Sequence, residues 1–173
     1  VGKSTASVRL AHESNFSRLL STDAIRDIMR VCDEDESNPS LHRSSFSKGD
    51  SGEAVIDWLE TCTAIEPGIA ATIGRARSEG IDLLIEGVHI VPSERLLRAW
   101  RESGGIAVGV VMCVEEENEH QKMLKSRDEH SYRRADRYLA SFSRIRKIQD
   151  GLIEKAKIAN WPIVDPTRVK DDV

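Results

Sequence analysis

Two near-continuous apolar runs, Ile81-Asp82-Leu83-Leu84-Ile85 and residues 106–114, constrain this chain more than any other feature. Runs that lack the polar alternation of a half-exposed strand belong in a sheet covered on both faces, and such sheets are parallel with helices on either side. The stretches around them carry helical periodicity, so strand-like and helix-like segments alternate, the pattern of an α/β domain. With 173 residues and 39% hydrophobic content, the chain has enough apolar side chain for one domain with a substantial core.

The alternation gives a coarse layout. Residues 3–13 read as a helix and Arg18-Leu19-Leu20-Ser21 as a short strand. Thr22 or Asp23 then caps a helix over 24–31. Residues 32–50 are rich in Asp, Glu, Ser, Asn and Pro and read as a loop. A helical pattern spans 52–77, where Pro67 either starts a second helix or kinks a long one. Gly80 ends it, and 81–85 form a strand that leads into Glu86-Gly87. Pro92 opens a helix to about Glu102, stopped by Ser103-Gly104-Gly105. Residues 106–114 are the best-defined strand, 115–129 and 134–158 are charged helices, and Trp161-Pro162-Ile163-Val164 is a last short strand.

Composition removes several classes of function. A net charge of −4 argues against a general nucleic-acid or membrane-surface binder. The longest apolar run is far too short to span a bilayer. Cys32, Cys62 and Cys113 are odd in number and lack C-x-x-C spacing, which fits a reduced, cytoplasmic setting without structural zinc. Nothing in the pattern speaks to oligomeric state.

The residues with chemical potential cluster where strands give way to helices. Val1-Gly2-Lys3-Ser4-Thr5 matches the back half of a phosphate-binding loop, G-x-x-x-x-G-K-[ST]. There, backbone N–H groups and a helix N-terminus surround phosphates, Lys3 reaches the β- and γ-phosphates, and Ser4 holds Mg²⁺ with Thr5 nearby. Asp23 follows a strand, with Arg26 a turn later, at the sheet edge where ligands of open α/β sheets bind. Its carboxylate is placed to accept a proton from a substrate hydroxyl, and the guanidinium to grip an anion. Equally, the pair reads as a helix cap with an exposed arginine.

Glu86 ends a buried strand and resembles a Walker-B acid that organises Mg²⁺, with His89 three residues on. Leu41-His42-Arg43-Ser44-Ser45-Phe46 sets a His, an Arg and two hydroxyls inside an acidic loop, a set suited to a phosphate or carboxylate group. Lys125, Arg127, Arg133, Arg134 and Arg137 surround an expected break between helices. Most of them read as a solvated basic face, and Arg127 is the candidate lid arginine that closes over a transferring phosphoryl group.

In that order, G-K-S-T, S-T-D-A-I-R-D-I-M-R, L-H-R-S-S-F, R-A-R-S-E-G and L-I-E-G-V-H-I-V-P resemble the 2-phosphoglycerate kinase family. The Glu117-x-x-His120 stretch and Tyr138-Leu139-x-x-Phe142-x-x-Ile145-Arg146-x-Ile148-Gln149 are similar to it as well. The resemblance covers essentially the whole chain. It implies ATP-dependent, Mg²⁺-assisted phosphorylation of 2-phosphoglycerate to 2,3-bisphosphoglycerate, a precursor of a cyclic compound in some archaea. It also implies a three-layer P-loop NTPase fold with a mostly parallel sheet, like the nucleoside monophosphate kinases.

On this reading Gly2, Lys3, Ser4 and Thr5 bind the nucleotide, and Ser4 with Glu86 serves the metal. Asp23 is the general base and Arg127 closes the site. Arg26, His42, Arg43 and His89 take the anionic acceptor. Two other functions stay open: a kinase for a nucleotide or sugar nucleotide, and a regulatory domain that binds ATP without an acceptor. Intact Asp23 and Glu86 favour the enzyme, since a binding module needs no base. No nucleic acid and no membrane is expected as a partner.

Residues 1–173 are expected to be a single kinase domain that lacks the first strand and the front half of the loop. Restoring about ten upstream residues, enough for a short strand and the half-loop, is expected to strengthen Mg-ATP binding and stability. Calorimetry that finds tight Mg-ATP binding by residues 1–173 alone would contradict that expectation.

Overall fold

The computed structural model describes residues 2–130 and 135–168, the side chains of 127–130 and 135 excepted. Helices and small parallel strand pairs alternate along it, as the apolar runs require. The chain divides into two compact units, one formed by 3–91 and the other by the residues from Pro92 onward together with Gly2.

In chain order the first unit contains α1 (Lys3–Glu13), β1 (Arg18–Ser21), α2 (Thr22–Cys32), α3 (Pro39–His42), α4 (Ala54–Glu79) and β2 (Leu83–Glu86). Strands β1 and β2 pair in parallel with Arg18 opposite Leu83 and Ser21 opposite Glu86. Both therefore stop at the same level, and the segments that leave them start side by side. Ile25 of α2, Leu41 of α3, and Ile65 and Ile69 of α4 form the buried core, with Met29, Ile73, Ile85 and Ile90 packed against it.

Three details decide how this unit packs. First, α4 runs through Pro67 as one helix of 26 residues and ends at Gly80, whose φ of 64° is the left-handed stop that glycine favours. Second, Gly68 brings α4 close to α2, since a Cβ there would lie 2.6 Å from Met29 Sδ and 2.7 Å from Ile25 Cγ2. Third, Asp57 is fully buried on α4. It accepts from Gly49 N–H at 2.9 Å and from the Ser51 hydroxyl at 2.6 Å, which ties down the loop before the helix.

The second unit contains α5 (Glu94–Glu102), β3 (Val111–Met112), α6 (Glu117–His130), α7 (Ala135–Ala140), α8 (Phe142–Ile158) and β4 (Ile163–Val164). Strand β3 pairs in parallel with β4, Val111 opposite Ile163 and Met112 opposite Val164. Helix α8 holds the end of β3 with side chains. The Gln149 amide accepts from Val114 N–H at 3.1 Å and donates to Val114 O at 3.0 Å, as a neighbouring strand would. Arg146 donates to Val114 O at 2.6 Å and to Glu115 O at 3.0 Å.

Four sequence expectations need correction. The strand expected over 106–114 contracts to Val111–Met112, with Ile106 90% and Val108 68% exposed. Its parallel partner is itself only two residues long, and Gly109 is packed under the Trp161 ring instead of entering the ladder. The helix expected over 134–158 breaks between α7 and α8, with Ser141 as the cap residue of α8. Within the loop expected over 32–50, Asn38 caps the one-turn helix α3 by accepting from Ser40 N–H, and Pro39 occupies its first turn. Finally, α2 is capped by neither Thr22 nor Asp23. The extended Ser21 takes that role by accepting from Ala24 N–H at 3.1 Å.

The tight contact at Gly68 is testable. Alanine would gain roughly 1 kcal/mol of helix propensity, but forcing a methyl into a filled interface costs roughly 1–3 kcal/mol. Gly68→Ala is therefore expected to destabilise the protein by about 1 kcal/mol in urea unfolding. A stabilised variant would show that the α2–α4 interface relaxes freely.

Candidate functional site

The in-register strand ends build the site. Because Ser21 lies opposite Glu86, the Thr22-Asp23 start of α2 and the Glu86-Gly87-Val88-His89 turn leave the sheet together. The capping role of Ser21 has a chemical consequence. It leaves the Thr22 hydroxyl and the Asp23 carboxylate free of backbone duty.

Near the start of α1, the Ser4 hydroxyl donates to Glu86 Oε1 at 2.9 Å. Ser4 and the strand-end carboxylate, 82 residues apart in sequence, thus share one place. Both offer hard oxygen atoms, a donor set suited to Mg²⁺, which characteristically takes one or two protein oxygens and completes its shell with phosphates and water. Among the described residues there is no cluster of three or more His, Cys, Asp or Glu that would enclose a metal without such help.

On the other side of Glu86, Gly87 has a φ of 155°, and a Cβ there would lie 1.7 Å from Thr22 Oγ1. Only glycine lets the turn close this tightly over Thr22. Thr22 is fully buried and its Oγ1 lies 2.9 Å from His89 Nδ1. Asp23 Oδ1 is 3.9 Å from the same nitrogen, with its side chain half exposed. Val88 O is pinned from beneath, accepting at 2.8 Å from the indole of the fully buried Trp58.

His89 itself is 3% exposed, and its Nε2 has no hydrogen-bond partner among the described residues. Burial is the main reason its pKa falls from 6.5 to about 4. Asp23 pulls the other way, and the positive charges of Arg26 and Lys3 add to the fall. The imidazole is thus neutral at neutral pH, and the influence of Asp23, Arg26 and Lys3 on it places all four in one electrostatic neighbourhood.

The expected acceptor-side groups lie on the α2–α3–α4 side of the unit, each with protein partners. Arg26 donates to Leu41 O at 2.8 Å and Arg43 O at 2.7 Å, tethering α3 to α2. Arg43 donates to Ser40 Oγ, to Asp57 O and to Glu60 Oε2 at 2.5 Å, with its side chain only 15% exposed. His42 Nε2 lies 3.0 Å from Asp33 Oδ2. Hydrogen bonds from the Ser37 hydroxyl, above all, and from Asn38 N–H, with help from His42, hold the Asp33 carboxyl at about 2. Asp27, Arg30, Val31, Asp33, Glu34, Glu36 and His42 line a shallow groove beside them. Arg127 lies on α6, and its side chain falls outside the described residues, as do Arg133 and Arg134.

Sequence reasoning brought Lys3, Ser4, Asp23, Glu86 and His89 into the discussion and missed Thr22 as more than a cap. The signal was present, since Thr22 precedes the carboxylate and Gly87 follows the other one. Also missed were Asp57, Trp58 and Glu60, which support the site from α4.

A Gly-Lys-Ser helix start thus faces a carboxylate at the end of a parallel strand, within an α/β arrangement. Comparison with curated proteins is specific. The chain is 30% identical over its whole length to a 2-phosphoglycerate kinase of Methanopyrus kandleri, covering 55% of that protein. It is 31% identical to one of Thermococcus kodakarensis and 30% to one of Methanocaldococcus jannaschii, again over its whole length and covering 60% and 57% of them. The chain is thus similar over its whole length to 2-phosphoglycerate kinases, and it spans little more than half the length of the curated relatives it matches. No family model matches it, and no solved structure matches it. No helix among the described residues is long and apolar enough to cross a membrane.

A buried neutral histidine makes stability depend on pH. Its folded pKa is below the unfolded value, so the unfolded chain binds the proton first as pH falls. The contribution is complete above about 6.5 and is lost as pH drops toward about 4, on the order of 3 kcal/mol in all. Unfolding free energies measured from pH 8 to 4 should fall in that window, and the slope should flatten in His89→Asn. An unchanged slope in the variant would mean that other groups dominate.

Proposed function

We propose that this chain carries out ATP-dependent, Mg²⁺-assisted transfer of a phosphoryl group to the hydroxyl of 2-phosphoglycerate, giving 2,3-bisphosphoglycerate. The observation that carries the reading is the 2.9 Å contact between Ser4 and Glu86, on a chain whose relatives are named 2-phosphoglycerate kinases. In this reading residues 1–173 belong to one kinase domain of the three-layer P-loop type with a mostly parallel sheet, working in the cytoplasm. The intact carboxylate pair favours a kinase over a domain that only senses ATP.

Each role follows from a residue's chemistry and position. Gly2, Lys3, Ser4 and Thr5 open α1 and bind phosphate oxygens through N–H groups, the ammonium and hydroxyls. Ser4 and Glu86 would hold Mg²⁺ together with the nucleotide, and the ion would supply neutralisation of charge on the transferring group. Asp23, half exposed and committed to no cap, accepts the proton of the acceptor hydroxyl. His89, neutral and buried, lends a polar edge to the acceptor site without adding charge.

Arg26 and Arg43 present guanidinium groups, and His42 an imidazole, to the acceptor's phosphate and carboxylate. Their present partners are protein carbonyls and the carboxylates of Asp33 and Glu60, so acceptor binding exchanges some of these contacts. Arg127 closes over the phosphates, which is the usual duty of a lid arginine.

The full-length protein with ATP and 2-phosphoglycerate tests the reading directly, by product formation. Lys3→Ala should remove roughly 3–4 kcal/mol of transition-state stabilisation and leave the fold intact; near-normal turnover would sink the kinase assignment. Asp23→Asn should lower kcat by about 10²–10⁴-fold with little change in KM for ATP. Glu86→Gln should instead raise the Mg²⁺ concentration needed for half-maximal rate. Swapped phenotypes would reverse the two roles. Arg43→Ala should raise KM for the acceptor more than KM for ATP, by the equivalent of about 1.5–3 kcal/mol.

A further inference from the structure

Thr22 is the residue on which the two halves of the candidate site converge. It is the first residue of α2, directly before Asp23, and it is fully buried. Gly87, directly after Glu86, closes so tightly over it that a Cβ would overlap Thr22 Oγ1 at 1.7 Å. His89, two residues further along the same turn, meets that oxygen with Nδ1 at 2.9 Å. One side chain is thus held from two sides by the turn that carries Glu86.

Either tautomer of the neutral ring can make this bond, Nδ1–H donating to Thr22 Oγ1 or the Thr22 hydroxyl donating to Nδ1. In both, Nε2 is left buried without a partner among the described residues, so the Thr22 contact is the hydrogen bond that holds the ring. Its loss would leave both buried nitrogens unmet, which is unfavourable.

We propose that His89 is a positioning residue for Asp23: through its hydrogen bond with Thr22 it fixes the start of α2 against the turn that carries Glu86, so that base and metal-side carboxylate keep one spacing. This rests on the kinase reading for its catalytic consequence, while the hydrogen bond itself can be judged without any activity. Asp23 needs such help. Its carboxylate is half exposed and 3.9 Å from the ring, too far for a direct hydrogen bond, so its place is set through the backbone of its neighbour. A misplacement of about 1 Å in a reacting group can lower a rate by roughly 10²-fold.

The test has two arms on the full-length protein. In ¹⁵N imidazole spectra at neutral pH, wild-type His89 should show a single neutral tautomer, and Thr22→Val, which replaces the hydroxyl with a methyl, should convert it to a mixture. A wild-type mixture of tautomers, or a Thr22→Val spectrum identical to wild type, would overturn the proposal whether or not the protein phosphorylates 2-phosphoglycerate.

In the kinetic arm, Asn places its amide oxygen near Nδ1, whereas Gln reaches toward Nε2. His89→Gln and Thr22→Val should lower kcat by about 10–100-fold with KM for ATP within about twofold. His89→Asn and Thr22→Ser should recover to within a few fold of wild type. Equal losses in the Asn and Gln variants, or losses confined to KM for ATP, would overturn the positioning role. A wild-type protein inert toward 2-phosphoglycerate would instead count against the proposed reaction, and the spectra would still decide the hydrogen bond.

Discussion

The pairing of Ser21 with Glu86 at the ends of β1 and β2 is the constraint on which the first unit depends. Parallel strands that end at one level leave two turns at the same height, and Thr22, Asp23, Glu86 and His89 all hang from those turns. A slip of one residue would flip the strand side chains to the opposite face. Glu86 would then leave Ser4, and Gly87 would leave Thr22. The hydrophobic pattern guards against this, because Ile85 packs against the Ile25–Leu41–Ile65–Ile69 core only in the observed register.

Support for these turns comes from α4, which contributes no expected catalytic group. Trp58 holds Val88 O, Asp57 holds the backbone and hydroxyl of the preceding loop, and Glu60 takes the Arg43 guanidinium. These bonds are made where water is excluded or scarce, so each carries the cost of an unmet partner if broken. In the second unit a comparable economy appears at the end of β3. There the Gln149 amide and the Arg146 guanidinium satisfy backbone groups that a longer neighbouring strand would otherwise meet.

Much of this was legible in the sequence because it is governed by local rules. A carboxylate followed by glycine after Leu83-Leu84-Ile85 announced a strand end, and the helices around it followed from their apolar spacing. Local rules failed where tertiary structure set the outcome. Residues 106–114 had the composition of a buried strand, but a strand is only as long as its partner, and β4 offers two residues. Pro67 left two outcomes open, a second helix or one long one, and only the folded structure decides for the long helix α4. No local pattern revealed that the Arg43 guanidinium is engaged with Ser40, Asp57 and Glu60. Such pairings join residues 14 and 17 positions apart, and no periodicity in a single chain reveals them.

The closure of Gly87 over Thr22 also limits how this chain can change over evolutionary time. A side chain at position 87 has no room unless position 22 first becomes smaller, and a residue at 22 without a hydroxyl leaves His89 without its hydrogen-bond partner. Drift at each of the three sites is therefore constrained by the other two. A change at one of them should favour compensating changes at the others, so that the three positions vary together more than independently.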